Sequence, residues 1–380
     1  MFGTDSSPPV NAGDGGSGGD GATDDRLVVA FAMEQHLGHR TYCQNLRDHV
    51  DADDIAPVWI PIDYESEGLA EKMPASLAAA WSGRRAVRNG LARAGADAHV
   101  FNTQVPAVLG GSIVRSRPYV LVTDVTPIEY DRIAEGYGHR PDGSGPISRL
   151  KHHLNLRTMQ GAAWCVGWSN RAAQSYIDDY GVPGARVRVI PPGVDLERWR
   201  PPTSDRRHDD GTFRILFVGG DFDRKGGRQL LRAFSTLPSS AELVVVTRAD
   251  VPTTDRVRVV SHLNPNDAEL VELYRTSHVF ALPTLAETFG IAAAEAAASG
   301  LPVVASDVGG IPDIVLDDSS GCLVPAGDEA ALAAALRRLH DAPDLRRSMG
   351  HAARRHAEEA FDAQTNADAL LDLVRRAAGR

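Results

Sequence analysis

The sequence predicts an α/β protein: two Rossmann-like, doubly wound domains facing each other across a cleft. Two observations carry that expectation. Apolar runs of strand length alternate with helical stretches along most of the chain, the pattern of a parallel sheet covered by helices on both faces. The alternation is also written twice, broken once by a proline-rich segment, 191–202, that holds Pro191, Pro192, Gly193, Pro201 and Pro202. With 380 residues, 43% of them hydrophobic, the chain has material for more than one core.

In chain order, residues 1–25 are dominated by Gly, Ser, Asp and Pro, a composition that cannot bury enough apolar surface to offset ordering, so a disordered tail is expected. The first domain is placed at 26–200. It opens with a strand at Leu27–Met33, turns at Gly38, and continues with helices near Thr41–Val50 and Ala79–Ala94. Strands follow at Ala98–Phe101, Tyr119–Val122 and Trp164–Trp168. The second domain, 201–360, restarts after the polar stretch 204–211. Its strands are expected at Phe213–Val218, Glu242–Thr247, Val257–Val260, His278–Leu282 and Pro302–Ser306. Its helices are expected at Gly227–Leu237, Asp267–Thr276, Gly290–Ser299 and Glu329–His340. A last helix, about 361–380, is expected to pack back on the first domain. Ligands of such folds bind beyond the carboxyl ends of the strands and at domain interfaces.

Bulk properties narrow the function. The formal charge is −10, and Asp5, Asp14, Asp20, Asp24 and Asp25 of the tail supply half of it, which argues against a nucleic-acid binder. Cys43, Cys165 and Cys322 are an odd, scattered set. They fit free thiols in a cytoplasmic protein better than a disulfide framework. No apolar run reaches membrane-spanning length, and the N-terminus has neither the basic nor the apolar region of a secretory signal.

Four stretches can carry chemistry. The first, LPTLAETFGIAAAEAAASG at 282–300, is a strand end, a loop with Glu287, and a helix beginning near Phe289–Gly290 that contains Glu295. Free N–H groups at such a helix start favour an anion, and Gly290 lets a phosphate approach the backbone. The two carboxylates can accept hydrogen bonds from two hydroxyl-bearing parts of one long ligand. An ordinary amphipathic helix with a surface Glu fits the same letters. The second stretch, FVGGDFDRKGG at 217–227, is a strand, a Gly-rich loop with Gly219, Gly220, Arg224 and Lys225, and a helix. It lacks the Gly-Lys-Ser/Thr of a Walker loop. Asp221 and Asp223 can also be read as a metal pair, and Lys225 as a solvated surface lysine. It is one of only three lysines, with Lys72 and Lys151, among forty basic residues. The third is MEQHLGHRTYCQNLR at 33–47, where Gly38 again precedes a helix. His36 and His39 lack an evident third metal ligand, and Arg40 is a further cation. The fourth is LVTDVTP at 121–127, where Asp124 fits the binding of a sugar or acceptor hydroxyl and fits an Asx-turn or helix cap about as well. Thr103 and Gln104 end another strand and are acceptor-side candidates. Arg84, Arg85, Arg88 and Arg93 cluster on the helix 79–94, either as a solvated face or as a patch for an anionic membrane surface or charged acceptor.

The glutamate pair separated by seven residues, the following Gly-Leu-Pro-Val-Val-Ala-Ser and Gly-Gly-Ile-Pro-Asp, and Val-Ile-Pro-Pro-Gly-Val-Asp at 189–195 together resemble the family-four retaining glycosyltransferases of the GT-B fold. The resemblance extends over nearly all of 27–375. It implies that Glu287 touches the hydroxyls of a donor sugar and Glu295 the nucleotide ribose. Phe289, Gly290 and Ile291 would meet the donor sugar and phosphate, with Gly38, Gly219 and Gly220 lining the phosphate site. Lys225 would neutralise the pyrophosphate. Two departures stand out: Gly220 occupies the position where the family usually carries an Arg, leaving Arg224 to supply that charge, and Asp124 stands where many members carry a His. The resemblance implies hexosyl transfer from a nucleotide sugar to an unidentified acceptor with retention, without a metal or other cofactor. The competing readings are a sugar-nucleotide epimerase and a non-catalytic sugar-nucleotide-binding protein of the same fold. A nicotinamide dehydrogenase is disfavoured because no Gly-x-Gly-x-x-Gly follows the first strand.

Overall fold

In the computed structural model, residues 26–64, 75–138, 141, 143–203 and 211–380 are described. The expected disorder of 1–25 lies outside them. The first half comprises β1 (Leu27–Glu34), α1 (Leu37–His49), β2 (Ile55–Ile62), α2 (Ala75–Ala94), β3 (Ala98–Phe101), α3 (Gln104–Gly110), β4 (Tyr119–Thr123), α4 (Pro127–Arg132), α5 (Pro146–Gly161), β5 (Trp164–Gly167), α6 (Asn170–Asp178) and β6 (Val187–Val189). The second comprises β7 (Phe213–Val218), α7 (Gly227–Ser235), β8 (Ala241–Val246), β9 (Val257–Val260), α8 (Ala268–Thr276), β10 (Val279–Leu282), α9 (Ile291–Ala298), β11 (Val303–Ser306), β12 (Gly321–Val324), α10 (Glu329–Asp341), α11 (Pro343–Ala360) and α12 (Ala363–Ala378).

Each half forms one six-stranded parallel sheet, ordered β2-β1-β3-β4-β5-β6 and β12-β11-β10-β7-β8-β9. The uncharged central runs VFAL of β10 and VVAS of β11 are buried throughout, as strands covered on both faces must be. The strand order reverses once in each sheet, between β1 and β3 and between β7 and β10. Such reversals splay the flanking connections to opposite faces and open a crevice beyond the strand ends. The loops leaving those four strands hold Gln35–His36, Asn102–Thr103, Gly219–Gly226 and Pro283–Gly290.

The chain crosses between the halves twice, and the crossings are tied together. Val194 N–H donates to Phe361 O at 2.7 Å and Ala363 N–H to Val194 O at 3.2 Å. Arg354 donates one nitrogen to the carbonyls of Leu196, Trp199 and Ala298. Beyond this clasp α12 lies against α1, β3 and β4, and Arg375 grips Asp54 with two hydrogen bonds of 2.8 Å.

Candidate active site

The second sheet builds its side of the cleft from two neighbouring strand exits. β7 runs into the loop 219–226, where Gly226 adopts φ +78° before α7 begins. A Cβ there would sit 1.8 Å from Pro283 O, so only glycine lets this loop lie directly on the exit of β10. The contact sets Lys225 against Glu287: Lys225 Nζ donates to Glu287 Oε2, with 16% and 7% of the two side chains exposed. The backbone of Glu287 is wrapped from behind by the Gly-Gly-Ile-Pro-Asp segment. Gly309 has φ +56°, and a Cβ on it would come within 1.7 Å of Glu287 O, while Gly310 N–H donates to Thr288 O at 3.0 Å.

Arg224 is held rather than free. Its Nη1 donates to Ala286 O at 2.8 Å, its Nε to Asp221 Oδ2 at 3.1 Å, and its guanidinium lies 4.6 Å from the centre of the Tyr137 ring. Asp223 binds Arg228 Nε at 2.6 Å, so both aspartates read as a metal pair are engaged by arginines. No group of three His, Cys, Asp or Glu side chains suited to a metal occurs among the described residues. Gly219 is pinned by its N–H to Val246 O at 3.0 Å, whereas Gly220 is exposed with open space around its missing side chain.

Gly290, at φ +105°, caps α9, whose free N–H end starts at Ile291. Every residue from Ala293 to Ala298 is buried, Glu295 included, so the amphipathic reading of this helix fails. The run of alanines lets α11 pack closely against α9. Glu295 accepts a hydrogen bond from Tyr274 at 3.3 Å. Burial pushes its carboxyl up to about 8, against the lowering pull of Tyr274 and the charge of Arg198.

The first sheet supplies the facing wall. His39 Nε2 lies 3.7 Å from Asp124 Oδ2, at the exit of β4. A Cβ at Gly38 would stand 3.7 Å from Ile291 Cδ1, which sets the start of α1 opposite the start of α9. Trp168, beyond β5, packs edge-on against Phe289 with centroids 6.2 Å apart and also touches His39 at 5.1 Å. Tyr137 bridges the two walls: burial raises its phenol, and the charges of Glu287 and then Asp124 raise it further. Gln104 Oε1 accepts from Thr123 Oγ1 at 3.3 Å, beside Asp124. The structure thus gathers Gly38, Asp124, Arg224, Lys225, Glu287, Phe289, Gly290 and Ile291 around one cleft.

Several site residues carry no sequence signal of their own. Glu34 ends β1 buried. Its carboxylate accepts from Tyr64, and its N–H donates to Asn102 Oδ1 at 2.7 Å. Asn170, at the start of α6, makes two hydrogen bonds of 2.6 and 2.9 Å to Asp313 across the cleft. Tyr137 and Trp168 stand outside any recognisable motif. Only the spacing of Trp168 at a strand exit, like that of Asp124, marks it.

The family model described as Glycosyl transferases group 1 matches residues 212–342, and the model described as Glycosyltransferase Family 4 matches residues 43–198. A D-inositol 3-phosphate glycosyltransferase of Xylanimonas cellulosilytica is 35% identical over 243 residues, 57% of each chain. One from Pseudarthrobacter chlorophenolicus is 32% identical over 249 residues, 60% of this chain and 59% of that one. The matched region therefore spans less than two thirds of these relatives' length. Among solved structures, a sucrose-phosphate synthase from Thermosynechococcus elongatus superposes with a TM-score of 0.74 at 20% identity, covering 92% of this chain and 99% of the other. The Anabaena protein Alr3699/HepE, solved in complex with UDP-glucose, gives 0.66 at 16% identity over 92% and 99%. These likenesses establish the two-domain GT-B fold, and with the family models covering both halves, the chain belongs to the family-four glycosyltransferases.

Proposed function

We propose that the protein transfers a sugar from a nucleotide sugar to a hydroxyl-bearing acceptor with retention of anomeric configuration. The observation that carries this reading is the Lys225–Glu287 pair, set between two strand-to-helix junctions and facing His39 and Asp124 across the cleft. In the free protein Lys225 compensates the charge of Glu287. With donor bound, the carboxylate turns to sugar hydroxyls and the ammonium to the pyrophosphate. Each ion thereby exchanges one partner for another and is never left bare in a poorly solvated site.

The leaving group gains negative charge as the glycosidic bond breaks. Lys225, the free N–H groups at the start of α9 and the Gly219–Gly220 backbone are preorganised to stabilise it. Neither Glu287, tied to Lys225, nor the buried Glu295 is disposed as a covalent nucleophile of the retaining-glycosidase kind. The reading is therefore same-face substitution, with a phosphate oxygen of the leaving nucleotide taking the acceptor's proton. Arg224 acts by holding the 285–287 loop and the Tyr137 ring. Glu295 takes the ribose and Asp124 an acceptor hydroxyl. Asn102 Nδ2, Thr103 Oγ1 and Trp168 Nε1 are buried without a partner among the described residues, and they supply further polar groups to the acceptor side.

The test is a panel of UDP-, GDP- and ADP-sugars screened for thermal stabilisation, followed by transfer and donor-hydrolysis assays with the stabilising donor. Parent activity with Glu287→Gln below about a tenth of it supports the reading. A Glu287→Gln variant as active as the parent overturns it, as does acceptor-independent conversion of the donor to an epimer.

A further inference from the structure

The helices on one outer face of the first sheet differ in composition from the rest of the molecule. α2, α3 and α5 pack side by side, α2 on α3 and α3 on α5. The segments 75–94, 103–118 and 146–161 that form them contain Arg84, Arg85, Arg88, Arg93, Arg115, Arg117, Arg149, Lys151 and Arg157, and no Asp or Glu, in a chain whose formal charge is −10. All of these cations except the half-buried Arg88 are exposed.

The same layer carries apolar side chains turned outward. Among the described residues eight large hydrophobic side chains are exposed, and five are here: Trp81, Val105, Ile147, Leu150 and Leu154. Ile147 and Leu150 are 73% and 59% exposed, and with Leu154 they follow the i, i+3, i+7 spacing of one helix face. Arg149, Lys151 and Arg157 flank that stripe.

We propose that this face docks the protein peripherally on an anionic lipid bilayer. Ile147, Leu150, Leu154 and Trp81 would enter the interface while the arginines and Lys151 meet lipid phosphates. Charge decides among occupants. A second copy would bring two carboxylate-free basic faces together. A nucleic acid would satisfy the cations but leave the aliphatic stripe without a partner. An anionic bilayer satisfies both. Val105 follows Gln104, which lies at the exit of β3 beside the cleft, so docking would bring the acceptor side of the cleft towards the membrane. The inference rests on this surface alone and stands or falls independently of the transfer reaction.

The test is vesicle flotation of the full chain with phosphatidylcholine vesicles with and without 30% phosphatidylglycerol. Binding is expected only with the anionic lipid, and it should fall at least tenfold as salt is raised from about 0.05 to 0.5 M. The triple variant I147S/L150S/L154S changes only exposed positions and should also reduce binding at least tenfold, with an unchanged circular-dichroism spectrum. In the parent, brominated phosphatidylglycerol should quench tryptophan fluorescence, and Trp81→Phe should remove most of that quenching. Absence of flotation at low salt overturns the proposal. So does equal binding to neutral vesicles, binding indifferent to the triple variant, or a concentration-dependent dimer that the triple variant abolishes.

Discussion

Removing Lys225 should destabilise the second half of the molecule, and removing Glu287 as well should give part of that stability back. Glu287 is 7% exposed and Lys225 16%, so Lys225→Met leaves a carboxylate in a poorly solvated site without its cation. Breaking one side of a buried pair costs about 3–5 kcal/mol, and the residual exposure of Lys225 places the loss at the low end, about 3 kcal/mol. Arg224 cannot substitute: to reach Glu287 it would have to release Ala286 O and Asp221, now at 2.8 and 3.1 Å. Glu287→Gln alone should cost about 1 kcal/mol, because the lysine left behind retains some contact with water. The double variant removes both charges, so the pair should show a coupling of about 2 kcal/mol. By calorimetry without donor, a domain of this size shifts roughly 2–4 °C per kcal/mol, so Lys225→Met should lower its Tm by roughly 6–12 °C. All three variants should be inactive in transfer, so recovery in the double variant is a stability effect alone. A Lys225→Met shift below about 2 °C, or single losses that simply add, would refute the reasoning.

Other expectations follow from individual residues. The Glu295 carboxyl, raised from 4.5 to about 8 by burial, keeps its proton in the fold where the unfolded chain has lost it, so stability should decline as pH rises between those values and level off above. Glu295→Gln should remove that decline, matching the parent near pH 4.5 and exceeding it above pH 8 by a few kcal/mol in urea melts. Equal stability of the two at high pH would mean that the carboxylate is ionised in the fold. Because Gly220 faces open space, Gly220→Arg should change stability by less than about 0.5 kcal/mol and tighten nucleotide-sugar binding in calorimetry. Weaker binding would place the 220 side chain away from the phosphates. Transfer should survive EDTA, since Asp221 and Asp223 are engaged by Arg224 and Arg228; loss in EDTA restored by magnesium would return those aspartates to metal binding.

The architecture was legible because strands buried on both faces are written as short uncharged runs that few other elements imitate. β3, β7 and β9 fall where the sequence places them, and most others shift by a residue or so at an end. Elements without that contrast were harder to read. β2, IAPVWIPI, carries two prolines that mask a strand, yet it sits at the sheet edge, where a missing N–H costs little. α5 keeps a polar and apolar mixture that does not point one face inward, and its outward leucines obscure the helical pattern. α9 was legible as a helix but not as a buried one. Eight residues with one charge read as amphipathic, whereas packing against α11 closes the other side.

The site was legible where one chain segment supplies both backbone and side chain, and not where partners come from distant segments. Glu287 and Lys225 each sit at a strand-to-helix junction that local pattern can find, but their pairing depends on where the strand order reverses. β7 and β10 are neighbours in the sheet although β8 and β9 lie between them in the chain. The Gly-Gly-Ile-Pro-Asp segment shows the limit most clearly. Its letters describe a turn, and its two glycines look interchangeable. In the fold Gly309 needs a left-handed backbone with no room for a Cβ beside Glu287 O, whereas Gly310 uses its N–H to hold Thr288 O. Asp313, three residues on, reaches the opposite domain at Asn170. One short segment thus braces the backbone at Glu287 and bridges the cleft, so loosening the Asp313–Asn170 contact should loosen the support of Glu287.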